Sequence, residues 1–175
     1  MDKLVFLYDK LMTTEERKLV NLKMEFISYG LIKAKLYFFN DDKRKRLFAI
    51  PVKGVSTKLI YGGIFLLKNY EEWQWKLHAY YNSLQPFTGH SFQEDLFVPT
   101  DVKAIPIKFK SLRDIEMNKY EKLSEIECQI FAGNPVNKKV KHSVARGRYY
   151  RINNVDVKNF IKLIKETQRK TEEKL

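Results

Sequence analysis

The stretch from Glu25 to Phe39 alternates, and it limits the possible folds more than any other part of the chain. Phe26, Gly30, Ile32, Ala34, Leu36 and Phe38 fall on one side; Lys33 and Lys35 fall on the other. A period of two marks an extended strand with one covered face and one wet face. A strand this long needs partners, and the rest of the sequence supplies them. Leu4-Val5-Phe6-Leu7-Tyr8 is a continuous apolar run stopped by Asp9-Lys10, and it reads as a central strand buried on both faces. Asn40-Asp41-Asp42 is a turn, and Leu47 to Val52 is a shorter strand. Pro51 would remove a ladder hydrogen bond, which assigns that strand to an edge. Lys58 to Leu67 is a strand with Gly62-Gly63 at its middle, the sign of a bulge or of a close backbone approach. Val102 to Phe109 alternates again, with Pro106 limiting its pairing. Ile126 to Phe131 is a further strand, closed by the turn Gly133-Asn134-Pro135.

Helices separate these strands. Thr13 with Glu16 forms a capping-box pattern and starts a short helix. Tyr70 to Ser83 carries Trp73, Leu77, Tyr80, Tyr81 and Leu84 near helical spacing. Asp156 to Glu172, within a C-terminal segment 155–175, is an amphipathic helix with the stripe Val157, Phe160, Ile161 and Ile164. Its last turns are purely charged and are expected to project from the body. No repeat, low-complexity tract or Pro/Gly-rich linker divides the 175 residues, so one domain spanning 1–175 is expected. Long β segments broken by a few helices predict an α+β fold: a small, curled or barrel-like mixed sheet with helices packed outside.

The hydrophobic share of 44% and the aromatic share of 14% supply a core and argue against disorder. The longest apolar run, Leu59 to Leu67, is too short to span a bilayer and holds two glycines. Met1-Asp2-Lys3-Leu4 lacks the basic start of a secretory signal. The single cysteine, Cys128, allows no internal disulfide and reads as a core residue of its strand. A cytoplasmic or virion location is therefore expected, with no membrane partner. The net charge of +12 serves solubility, or attraction to nucleic acid or an acidic protein surface.

Five segments, in order, resemble the gamma-glutamylcyclotransferase-like family. Tyr8-Asp9-Lys10-Leu11 is similar to its Tyr-Gly-Ser/Thr-Leu loop. Tyr29-Gly30-Leu31 to Leu36-Tyr37 resembles its second strand, and Ile60-Tyr61-Gly62-Gly63-Ile64-Phe65 the strand before its helix. Leu77-His78-Ala79-Tyr80-Tyr81-Asn82 lines up with the helix motif Leu-Asp-x-Tyr-Glu-Gly. Gln129-Ile130-Phe131-Ala132-Gly133-Asn134 resembles a late strand carrying Tyr or Phe. The resemblance implies a small barrel with flanking helices. It also implies a loop whose backbone N–H groups meet the substrate's carboxylate and carbonyl, and a helix Glu that acts as general acid/base while the gamma-glutamyl amine closes to oxoproline.

The chain departs from the family at each chemical position. Asp9 replaces the loop glycine, where its side chain blocks close backbone approach and its charge repels an anion. Lys10 replaces the hydroxyl residue. Tyr81 stands where the catalytic Glu would be, and a phenol with a reference pKa near 10 is a poor base at neutral pH. His78 replaces the Asp before it. Tyr8, Leu11, Leu77 and Tyr80 are kept. Tyr8, Asp9, Lys10, Leu11, His78 and Tyr81 are thus expected to form a vestigial pocket with no catalytic residue. Glu71 and Glu72 on the same helix, and Glu94 and Asp95 after it, would revive an enzyme only by facing a pocket beside Tyr8.

His78, His90 and His142 lack metal-ligand spacing, no Cys/His cluster exists, and no Gly-rich phosphate loop precedes a Lys-Ser/Thr, so no metal or cofactor is expected. Three basic clusters are candidates for phosphate contact: Lys43-Arg44-Lys45-Arg46 at a hairpin tip, Lys138-Lys139-Val140-Lys141-His142 in a loop, and Arg146, Arg148 and Arg151 among tyrosines. Trp73, Trp75 and Phe87 crowd one helix and its exit, and are candidates for a protein interface. The expected function is a non-catalytic structural or interaction protein, such as a bacteriophage connector or ring subunit, forming a homo-oligomer or larger assembly. An active cyclotransferase-like enzyme releasing 5-oxoproline and a nucleic-acid-binding domain are the alternatives.

Overall fold

In the computed structural model, residues 1–41, 44–54, 58–82, 95–147, 149–150 and 157–173 are described. β1 (Lys3–Leu7) leads through a 3-10 turn (Lys10–Met12) into α1 (Thr14–Leu19). β2 (Glu25–Asp41), β3 (Arg44–Pro51) and β4 (Leu59–Leu67) follow, then α2 (Tyr70–Asn82), β5 (Phe97–Lys108), α3 (Leu112–Glu116) and β6 (Glu121–Lys122). β7 (Ile126–Gly133), α4 (Lys138–Ala145), β8 (Tyr149–Tyr150) and α5 (Val157–Glu173) complete the chain. Among the described residues, no helix is long and apolar enough to cross a membrane.

Five strands close on themselves. The hydrogen-bonded order β2-β4-β1-β7-β5 returns to β2 through Tyr29 opposite Ile107, Gly30 opposite Pro106 and Leu31 opposite Ile105. Every neighbour pair in this ring is antiparallel except β1 with β7. The result is the small closed barrel with flanking helices that the sequence predicts. β2 outruns the barrel, and its second half pairs with β3 from Ala34 opposite Pro51 to Asp41 opposite Arg44. β3 stands at the end of the strand order, as Pro51 requires.

Alternation divides the core in two. Phe6, Tyr8, Ile32, Ile60, Ile64, Ala104, Cys128 and Ile130 form one buried cluster, on the inward side of the barrel strands. Val5, Leu7, Leu31, Phe65, Ile107 and Phe131 point the other way and are covered by Leu77 and Tyr81 of α2, Val140 of α4, and Phe160, Leu163 and Ile164 of α5. This explains why the run from Val5 to Tyr8 is apolar at every position: all four residues have no exposed surface.

The barrel is narrow, and Gly62 shows how narrow. A Cβ there would overlap the Leu7 carbonyl and come within 2.6 Å of the Phe6 ring. Gly62-Gly63 is therefore a close approach rather than a bulge. The register shift lies in β2, between Phe26 and Ser28. It reverses the phase of the strand, so Phe26 leaves the Gly30–Leu36 face and packs on Tyr29 and Phe65 at ring distances of 5.0 and 5.6 Å. The opposite face of β2 is also drier than its lysines predict, because Phe160 lies across Tyr29.

Two further corrections concern length and type. β5 begins at Phe97 rather than Val102 and includes Pro99, which is tolerated because only β7 pairs with that half. Lys138 to His142 is helical, not a loop. Asn137 caps it by accepting from the N–H groups of Lys139 and Val140 at 2.9 and 3.2 Å. Val140 and Ser143 are buried while the lysines face solvent.

Candidate functional site

The loop leaving β1 meets α2, β3 and β7 at one end of the barrel. Tyr8 is fully buried. Its hydroxyl donates to the Phe131 carbonyl at 2.7 Å and accepts from the Ala49 N–H at 3.1 Å. The phenol thus links β3 to β7 where no ladder joins them. Burial, followed by the charge of Asp9, pushes its ionisation far above the ordinary phenol value.

Three backbone donors of this segment, those of Leu11, Met12 and Thr13, are engaged within it. Asp9 Oδ1 accepts from the Leu11 N–H at 3.1 Å, Met12 N–H donates to the Asp9 carbonyl at 3.1 Å, and Thr13 N–H donates to the Lys10 carbonyl at 3.0 Å. Asp9 is half-buried and also shares a hydrogen bond with the Tyr81 side chain. Its carboxylate therefore sits against the Leu11 N–H, as an external anion otherwise would. Lys10 is exposed, with its ammonium 3.6 Å from Glu16. Glu16 in turn accepts from the Tyr80 hydroxyl at 3.1 Å.

Tyr81 is only 2% exposed and lies stacked on Phe131, with ring centroids 4.6 Å apart and planes 7° from parallel. Burial is the main cause that raises its ionisation well above the phenol range, and Asp9 is the next. At neutral pH it is a hydrogen-bond donor and a packing surface, not a base. Arg46 seals the end of the helix. Its Nη2 donates to the Tyr81 carbonyl at 2.7 Å, and the guanidinium lies 5.0 Å from the Phe97 ring. Spacing alone had grouped Arg46 with its basic neighbours; it is half-buried and turned onto α2.

His78 Nε2 lies 3.1 Å from Asp95 Oδ2, and Asp95 is buried. Asn82 holds the strand after this pair by bonding both the N–H and the carbonyl of Phe97. Asp95 is thus tied to the side of α2 through His78. Glu71 binds the N-terminal ammonium at 2.7 Å, and Glu72 is exposed. Glu94, His90, Lys43, Phe87, Arg148 and Arg151 lie outside the described residues, as do the side chains of Arg44 and Lys45. Arg146 is exposed at the end of α4, and His142 is exposed on the same helix. Among the described residues, no three His, Cys, Asp or Glu side chains gather as a metal site requires.

A second feature lies beside this loop. A groove of about 520 Å³ runs between α1, the start of β2, the end of β4 and the start of α2. Trp73, half-buried, forms one wall; Trp75 on the same helix is 58% exposed. The sequence gives no sign of this groove, because Lys18, Lys23 and Lys68 belong to segments that only the barrel brings together.

No family model matches the chain, and no curated protein matches it. Among solved structures, a gamma-glutamyl cyclotransferase superposes with a TM-score of 0.50 at 15% identity, covering 77% of this chain and 68% of its own. An uncharacterized human protein aligns at 15% identity and a TM-score of 0.49, covering 93% of this chain and 86% of its own. The chain has a gamma-glutamylcyclotransferase-like fold.

Proposed function

We propose that this chain is a non-catalytic interaction module built on a gamma-glutamylcyclotransferase-like scaffold, and that it serves as a subunit of a larger protein assembly. The observation that carries the reading is the engagement of the Leu11, Met12 and Thr13 amides in the segment after β1. The resemblance implies a reaction that needs free loop amides and a carboxylate at the position of Tyr81. Here the Leu11, Met12 and Thr13 amides are bonded inside the loop, and Tyr81, the residue that the resemblance aligns with the carboxylate, is a buried phenol stacked on Phe131. A scaffold can outlive its chemistry, since function resides in the site and not in the fold.

Incubation with gamma-glutamyl peptides tests this directly. No 5-oxoproline above the uncatalysed background is expected, and release that scales with protein concentration would overturn the reading. The assembly we favour is a bacteriophage connector or ring, for which the support is compositional: a small, Lys-rich chain of net charge +12. Light scattering coupled to size exclusion is expected to find a ring or higher oligomer. A strict monomer at high concentration removes this part of the proposal.

A further inference from the structure

We propose that the groove between α1 and α2 is a docking site for an acidic protein segment that inserts an apolar side chain. The proposal rests on the interaction-module reading and gives it a location and a partner chemistry. Lys18, Lys23 and Lys68 surround the groove and are exposed, against a single carboxylate, Glu25. The floor is apolar, formed by Leu22, Met24 and Leu66, and Trp73 is one wall. Its wall is held in place: Lys76 donates to the Asn21 carbonyl at 2.9 Å and lies 4.5 Å from the Trp73 ring, tying the end of α1 to α2. A cationic rim over a fixed apolar floor is complementary to a chain that alternates acid and hydrophobe.

Nucleic acid fits less well. Phosphate recognition favours the bidentate guanidinium, and the one guanidinium of the groove is committed elsewhere. Arg17 Nη1 donates to the Leu11 and Met12 carbonyls at 3.1 and 2.5 Å, and the group lies 4.5 Å from the Phe65 ring. The aliphatic floor offers no partner to the polar edge of a base. It suits a leucine or phenylalanine side chain.

The probe is a fluorescein-labelled peptide of repeating Glu-Glu-Leu, followed by anisotropy and by Trp emission. Saturable binding is expected at about 50 mM salt, weakening as screening increases. Reversing the rim with Lys18→Glu, Lys23→Glu and Lys68→Glu together is expected to weaken binding at least about ten-fold, with an unchanged far-UV spectrum and melting curve. The control places the same charge change on α4, whose exposed Lys138, Lys139 and Lys141 do not line the groove. Lys138→Glu, Lys139→Glu and Lys141→Glu together should leave binding within about two-fold. Equal loss in both triple variants would mean attraction by net charge alone and overturns the site. So does tighter binding of oligo-dT than of the peptide, or no peptide binding at low salt. None of these failures touches the 5-oxoproline assay, which decides the non-catalytic reading separately.

Discussion

Tyr8 joins two strands through one oxygen, so the cost of removing that oxygen can be stated. Tyr8→Phe keeps the ring and deletes the hydroxyl, leaving the Ala49 N–H and the Phe131 carbonyl without this partner. A buried polar group that loses its partner costs about 1–3 kcal/mol. A stability loss of that order, read from urea unfolding, is expected, and an unchanged midpoint would remove the bridging role. The missing glycine leads to the expectation that Asp9 opposes an anion at this loop. That it also satisfies the Leu11 amide was not legible, because a side chain that folds back onto its own turn leaves no trace in spacing. Arg46 was hidden for a related reason. Among neighbouring cations, nothing in the sequence distinguishes the one that turns inward to the Tyr81 carbonyl.

At the scale of elements, α5 holds the outer face of the barrel and the loop after β1 at once. Phe160, Leu163 and Ile164 are buried, while Glu166 accepts from the Thr14 hydroxyl at 2.8 Å and Thr167 bonds the Tyr29 hydroxyl. Leu163 packs where Gly63 leaves room: a Cβ at Gly63 would come within 2.9 Å of it. Leu163→Ala is expected to cost about 2–5 kcal/mol, the range for a large-to-small change in a closed core. Calorimetry should show a fall in melting temperature of several degrees, and a loss within error would mean that α5 contributes little. The apolar stripe of α5 was readable from period, although Leu163 was missed and Ile161 is only half-buried. α4 was not readable, since its lysines equal its apolar residues in number and its start depends on the Asn137 cap. The β2 bulge hid itself as well, because one inserted residue flips every side chain before it while the pattern continues to look regular.

For the molecule as a whole, many tyrosines sit where ionisation is opposed. Burial is the leading cause that raises Tyr8, Tyr29, Tyr61, Tyr70, Tyr80 and Tyr81 above the ordinary phenol value. In the unfolded chain these phenols lose their protons near pH 10, at about the reference value. The folded state then holds more protons than the unfolded state. The stabilisation is complete below about pH 10 and is lost as pH rises through the elevated native values. Urea midpoints should therefore fall steeply as pH rises above about 10; a flat profile there would contradict the buried tyrosine network. Cys128, pushed up to about 12 by burial, reinforces the same trend. The barrel itself was legible from strand count and alternation. Its closure through β2 and β5 was not, since that pairing spans residues far apart in the chain. The Tyr8 phenol has one more effect, on how molecules of this kind can join. By occupying the Ala49 amide on the outer side of β3, it denies an intruding backbone the donor needed to prolong the sheet. Copies of this chain are thereby steered away from polymerising strand upon strand at that position.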